Sequence, residues 1–345
     1  MSDIISKNLE ELEVLVAEYK QSKFRAKQLF EWIHSKMEWD YDKMTNLPAD
    51  FKEKLKEDWP LNSMKILEKY ESQIDGTIKY LFELEDSHII ESVLMRYKHG
   101  NSICISSQVG CKMGCKFCAS TLEGLVRNLK ISEMLGQIYF VARDIGERIS
   151  NIVIMGSGEP LEYLDITTGF VQMINHPKGQ NIGQRHITVS TCGLVPRIYE
   201  LADMDMQITL AISLHATTDE KRQQIMPIAY KYTIKEILQA CKYYTDKTGR
   251  RITFEYALIA GKNDTKEDAL ELYGLLRGSL CHVNLIPINK IEERSFESGT
   301  QESIENFAKL LKSYHIETTV RRKLGSDIEA ACGQLRRRYL KKRGE

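Results

Sequence analysis

The chain has 345 residues, 42% hydrophobic and 28% charged, and its 48 basic side chains balance its 48 acidic ones. That length buries a large core, with room for one large domain and a small one. No stretch of about 18 apolar residues and no secretory leader pattern is present, so a soluble cytoplasmic protein is expected. Eight cysteines in such a chain point to metal or redox chemistry rather than a disulfide scaffold.

From the N-terminus, helical patterns carry all three tryptophans, Trp32, Trp39 and Trp59, and the stripes Leu9, Leu12, Val16 and Phe24, Leu29, Phe30, Ile33. Asn46 and Pro48 mark a turn, and Pro60 closes the last helix. This predicts a helical accessory domain over residues 1–75, then a linker and extension over 76–95. Beyond residue 96, strand-like runs alternate with amphipathic helices, the pattern of a parallel sheet wrapped by helices. Strands are predicted at Ser102–Ser107, Asn151–Met155, His186–Ser190, Gln207–Leu214, Ile252–Ile259, His282–Pro287 and Ile316–Arg321. Helices are predicted at Ser132–Ile149, Ile234–Thr245 and Lys266–Leu276. The fold class is α/β, a partial (β/α)6 barrel over 96–345 with its functional groups at the C-terminal strand ends. Charge is uneven: from Ile316 onward nine basic residues meet four acidic ones, a tail suited to phosphates.

After the first barrel strand, GCKMGCKFC places Cys111, Cys115 and Cys118 in a C-x3-C-x2-C loop. Three thiolates suit a [4Fe-4S] cluster with one iron left open, because full protein ligation takes a fourth cysteine. That open iron can take the amino and carboxylate groups of S-adenosylmethionine (SAM). Structural zinc usually takes four ligands, often as paired C-x2-C units, and only one such unit is present. The loop, with Phe117 before its last cysteine, resembles that of the radical SAM superfamily. A buried strand then runs into Gly156, Ser157, Gly158, Glu159 and Pro160, where small residues admit a ligand and Glu159 can hold an ammonium. This segment resembles the superfamily's SAM-binding GEP motif.

FRAKQLFEWI, CISSQVGCKMGCKFC, GEPL, VSTCGLVP, SLHA, HVNLIPIN and DIEAACGQL follow in order along nearly the whole chain. Together they resemble the radical SAM adenine-C2 methyltransferases of ribosomal and transfer RNA. The resemblance implies that Cys332 carries the methyl group and that Cys104 is its resolving partner. Carbon 2 of adenine lies between two ring nitrogens and is too electron-poor to attack a SAM methyl group. One SAM is therefore implied to methylate Cys332, and a second to yield a 5'-deoxyadenosyl radical that takes hydrogen from that methyl. The carbon radical adds to the base, and Cys104 thiolate then attacks the Cys332 sulfur, leaving a disulfide and the methylated product. Glu91 matches the family's proton-accepting carboxylate, although pattern alone reads it as a solvent-facing strand residue.

The resemblance further assigns SAM contacts to Gly158, Glu159, Ser190, Ser213, Leu214, His215 and Asn289. Its implied partners are 23S rRNA, tRNA and an electron donor such as flavodoxin or ferredoxin, with a monomeric enzyme and the target base extruded into the barrel. Cys192, Cys241 and Cys281 match no role and are expected to pack. Ser157 stands where the family usually has a bulky apolar residue, and Tyr163 where it often has Asn. The nearest rival is the adenine-C8 methyltransferase that confers antibiotic resistance, against which Pro160 argues. A zinc-stabilised RNA-binding protein without catalysis, and a radical SAM enzyme whose substrate is not RNA, are more distant rivals.

Overall fold

The computed structural model describes residues 3–61, 64–288, 296–328 and Tyr339. The N-terminal helices are α1 (Leu9–Glu18), α2 (Lys23–Phe30) and α3 (Ala49–Asp58), and of the predicted apolar stripes Leu12, Val16, Leu29, Phe30 and Ile33 are buried and Leu9 partly so, whereas Phe24 is exposed. Asn8 and Glu11 form a reciprocal capping box at the start of α1, satisfying two backbone donors that the first turn otherwise leaves open.

The chain then departs from the expected linker. Residues of the 64–97 region form three antiparallel strands, β1 (Met64–Glu71), β2 (Ile78–Leu84) and β3 (Ile89–Tyr97). They extend the barrel sheet through β3 against β4 (Gly100–Ile105). The 76–95 segment is thus sheet. Its β-branched and aromatic run Ile78, Tyr80 and Phe82 is buried, the composition that favours strands.

After a small ribbon of β5 (Gln108–Gly110) and β6 (Leu125–Asn128), parallel strands alternate with helices. The order is α4 (Ile131–Ile145), β7 (Ile149–Ile154), α5 (Leu164–Asn175), β8 (Ile187–Thr191), α6 (Val195–Asp203), β9 (Thr209–Ser213), α7 (Asp219–Ile225), α8 (Ile234–Thr248), β10 (Ile252–Leu258), α9 (Lys266–Leu276), β11 (Cys281–Pro287), α10 (Gln301–Ser313) and β12 (Thr318–Val320). One ten-stranded sheet runs β1-β2-β3-β4-β7-β8-β9-β10-β11-β12. From β4 to β12 every pair is parallel. Six strands, β4 to β11, make the partial barrel, and no pairing joins β12 to β1 among the described residues.

All seven predicted strands are present, with ends shifted by at most two residues. Helix α4 ends four residues before the predicted Ile149, because Gly146 adopts a left-handed φ of 65° and caps it. Ile149 instead opens β7. The core is continuous from Ile4 to Ile316, so helical and barrel parts share it. Asp3 and Ser6 hydrogen-bond Ser132 at the start of α4, at 2.7 and 3.0 Å. No helix among the described residues is long and apolar enough to cross a membrane.

Candidate active site

A cavity of about 580 Å³ opens at the C-terminal ends of the parallel strands. Cys104 from β4 and Cys111, Cys115 and Cys118 from the loop after β5 line it. So do Gly158 and Glu159 after β7, Ser190 on β8, Ser213 on β9 and His215 just beyond it. Nine predicted residues from five stretches of chain therefore share one wall. Leu214 is fully buried and absent from that lining. Glu91 also lies off the lining, although it shares a strand face with Val93 and Met95, which do line the cavity. Asn289 and Cys332 lie outside the described residues.

Local hydrogen bonds fold the cysteine loop. The Cys111 N–H donates to Gly124 O at 2.8 Å, and Cys118 N–H donates to Cys115 O at 3.1 Å. Thr121 Oγ1 donates to the carbonyls of both Cys115 and Cys118. Lys116 N–H donates to Ile225 O at 2.8 Å, so α7 backs the loop. Ile225 and Met226 pack with Cys115 and Phe117.

The GEP segment is held as tightly. Gly158 adopts φ +119°, and a Cβ there would stand 2.5 Å from Ser107 Oγ, so backbone curvature and close approach both demand glycine. Glu159 accepts backbone N–H groups from Cys192 at 2.7 Å and Leu161 at 3.0 Å. Its carboxylate thus ties the ends of β7 and β8 together, while burial pushes its pKa up. Ser157, small where bulk was expected, is buried with its Oγ 3.0 Å from Ser120 Oγ, joining this loop to the cysteine loop. Tyr163 is half exposed at the start of α5.

His215 sits at φ +58° and is buried. Burial pulls its pKa down to about 3, and its Nδ1 accepts the Ala257 N–H at 2.9 Å. The neutral ring therefore carries its proton on Nε2. Phe117 meets that ring edge-on, at 4.8 Å between centroids.

Two sets of similar proteins match this arrangement. The radical SAM superfamily model matches residues 105–275, and the ribosomal RNA large subunit methyltransferase N-terminal domain model matches residues 2–60. A probable dual-specificity RNA methyltransferase RlmN of Clostridium perfringens is 56% identical over 344 residues, spanning 100% of this chain and 99% of its own. The chain belongs to the RlmN family. A Clostridium botulinum relative of the same name is 57% identical over 99% of this chain and 98% of its own. A crystal structure of a radical SAM methyltransferase from Sphaerobacter thermophilus superposes with a TM-score of 0.93 at 42% identity, covering 97% of this chain and 99% of that one.

As an RlmN-family radical SAM methyltransferase, the protein uses a [4Fe-4S] cluster and SAM. The donor set fits the cluster. Cys111, Cys115 and Cys118 line one cavity, where each can take one iron of a cluster. Burial also pushes the Cys111 thiol up to about 12, so thiolates there need the compensating charge of a cationic core.

Several features of the site had no signal in the linear pattern. Glu91 is 3% exposed, not solvent-facing, and its carboxylate lies 3.0 Å from Lys79 Nζ, itself fully buried. Cys192, expected only to pack, contributes to the cavity wall. Residues 321–326 cross the mouth as a strap, with Leu324 packed on Cys104 and Val93. Asp327 accepts from Ser72 Oγ at 2.7 Å and Gln73 N–H at 2.9 Å, while Gly325 N–H donates to Asp75 Oδ2 at 2.9 Å. These bonds clasp the strap to the β1–β2 turn immediately before the stretch that carries Cys332.

Glu255, on β10, is the cavity's other buried carboxyl. Asn284 Nδ2 donates to it at 2.8 Å, and Thr319 Oγ1 donates to Asn284 Oδ1 at 3.1 Å. Burial pushes its pKa from 4.5 up to about 7, against the opposing pull of Asn284 and the Arg321 charge. An acid with a raised folded pKa favours folding most below its unfolded value. The contribution of Glu255 to stability should therefore fall as pH climbs from about 4.5 to 7, by on the order of 3 kcal/mol, and level off above. Chemical denaturation across that window should show the wild type losing stability relative to Glu255→Gln, the buried His215 adding the opposite slope equally to both proteins. Equal slopes would remove the assignment.

Proposed function

We propose that this enzyme methylates carbon 2 of an adenine in 23S rRNA, at the peptidyl transferase centre, and in tRNA, at the adenosine 3' of the anticodon. The observation that carries the reading is a single cavity lined by three cluster cysteines, the GEP loop and a further cysteine, Cys104. Bound to the cluster, SAM supplies both the methyl group and the radical chemistry that an electron-poor ring carbon requires.

The residues take distinct parts. Cys111, Cys115 and Cys118 hold the cluster. Gly158, Glu159, Ser190, Ser213, Leu214, His215 and Asn289 bind SAM, Leu214 through its backbone because its side chain is buried in the core. Cys332 carries the methyl group and Cys104 resolves the thioether. Glu91 takes the proton from the base adduct. The strap of Arg321, Arg322 and Lys323 at the cavity mouth supplies three positive side chains where RNA enters. The protein acts as a cytoplasmic monomer, with flavodoxin or ferredoxin as its electron donor.

Nucleoside mass spectrometry tests the reading, after anaerobic incubation of reconstituted enzyme with SAM, reductant and unmodified rRNA or tRNA. The expected product is 2-methyladenosine. Finding 8-methyladenosine assigns the resistance chemistry instead, and no methylated nucleoside from either RNA overturns the substrate class.

A further inference from the structure

Arg222, on α7, has the largest fully buried side chain in the described protein, at 0% exposure. Its guanidinium makes no salt bridge among the described residues. Nε donates to Leu214 O at 3.1 Å, and Nη2 donates to Cys192 O at 2.6 Å and Ser213 O at 3.2 Å. These carbonyls sit at the C-terminal ends of β8 and β9, beside the residues proposed to bind SAM. Nη1 is buried and has no hydrogen-bond partner.

A buried cation is costly unless opposite charge compensates it, and arginine does not escape by losing its proton. Three carbonyl dipoles meet part of that cost. Arg222 also interacts electrostatically with Cys192, Cys115 and Asp219, and of these Cys115 belongs to the cysteine loop. The backbone of α7 also holds that loop, through Ile225 O and Lys116 N–H. One short helix therefore brings a fixed positive charge and a backing surface to the loop that carries Cys115.

We propose that Arg222 is a positioning residue with two effects: its charge favours the reduced iron-sulfur cluster, and its carbonyl clamp sets the strand ends that bind SAM. Thiolate ligation leaves an oxidised [4Fe-4S] site negative, and the electron added on reduction makes it more so. Net charge around the cluster is one of the quantities that sets its potential. A buried cation is screened little by salt, so its effect persists at physiological ionic strength.

The proposal rests on Cys111, Cys115 and Cys118 holding the cluster, and the experiment separates the two claims. Wild type, Arg222→Gln and Arg222→Lys are reconstituted anaerobically, assayed for iron and sulfide, and titrated potentiometrically while the reduced cluster is followed by electron paramagnetic resonance. SAM affinity is measured on the same samples. Glutamine can still donate to two carbonyls but carries no charge. In Arg222→Gln the ratio of reduced to oxidised cluster at a fixed potential should fall about tenfold, a shift of about 59 mV for one electron. Arg222→Lys should stay within about threefold of wild type in that ratio. It should nevertheless bind SAM about tenfold more weakly, because a single ammonium cannot span three carbonyls in the guanidinium's planar geometry. A wild type without four irons overturns the cluster assignment and the proposal with it. A normal cluster whose potential is unchanged in Arg222→Gln overturns the charge effect alone, and undiminished SAM affinity in Arg222→Lys overturns the clamp. If the glutamine variant does not fold, the lysine variant decides, since a tenfold loss of reduced cluster there contradicts the retained charge.

Discussion

Cys104→Ala enzyme is expected to accumulate RNA bound covalently to protein and to release almost no methylated product. Cys104 is 3% exposed, on the cavity wall, and packs against Val93, Met95 and Leu324. In that enclosure a bulky external thiol cannot replace it, so a missing side chain leaves the thioether to Cys332 unresolved. Denaturing gels of labelled RNA with the reconstituted variant should show a slow band that survives heat and detergent. Cys332→Ala should show neither band nor product, because the methyl carrier is gone before addition. Free methylated RNA from Cys104→Ala at the wild-type rate would remove Cys104 from the resolving role.

The second large effect is on stability. Lys79 and Glu91 form an ion pair with both partners almost wholly out of water. Lys79→Met leaves the carboxylate buried without its cation, and breaking such a pair typically costs about 3–5 kcal/mol. Lys79→Met/Glu91→Leu should recover most of that loss, since an apolar pair of similar volume is often neutral or better. The double variant should nevertheless release no methylated RNA, because Glu91 is the proposed proton acceptor. Urea unfolding of the three proteins separates the outcomes. A Lys79→Met protein as stable as wild type would show that the pair is not the source of order in β2 and β3.

The chemistry was legible wherever its residues are neighbours in the chain. The spacing of Cys111, Cys115 and Cys118 is local, and so is the run from Ile152 to Pro160 that places Gly158 and Glu159 at a strand end. The parallel strands were legible from short apolar and β-branched runs, continuously buried over Leu210–Ile212 in β9 and alternating in Ile187–Thr191 of β8. Strand β1 was not, since Met64–Glu71 is polar on one face and follows a helical stretch whose charge pattern it continues. Arg222 and Glu255 carried no signal either, because a lone charged residue in a helix or strand is most often solvent-facing.

The sequence by itself determined the fold class and the kind of reaction, through motifs of short spacing in a set order, and by family resemblance it implied the cluster loop and the pair Cys104 and Cys332. Only the tertiary structure decided which charges are buried and what they touch. Glu91 meets Lys79 through antiparallel register between β2 and β3, and the clasp joins Ser72 to Asp327 across 255 positions. Arg222 reaches the ends of β8 and β9 because α7 folds back over them. Such contacts follow from how strands register and helices dock, which is settled by the burial of the whole core and not by the residues on either side of the charge.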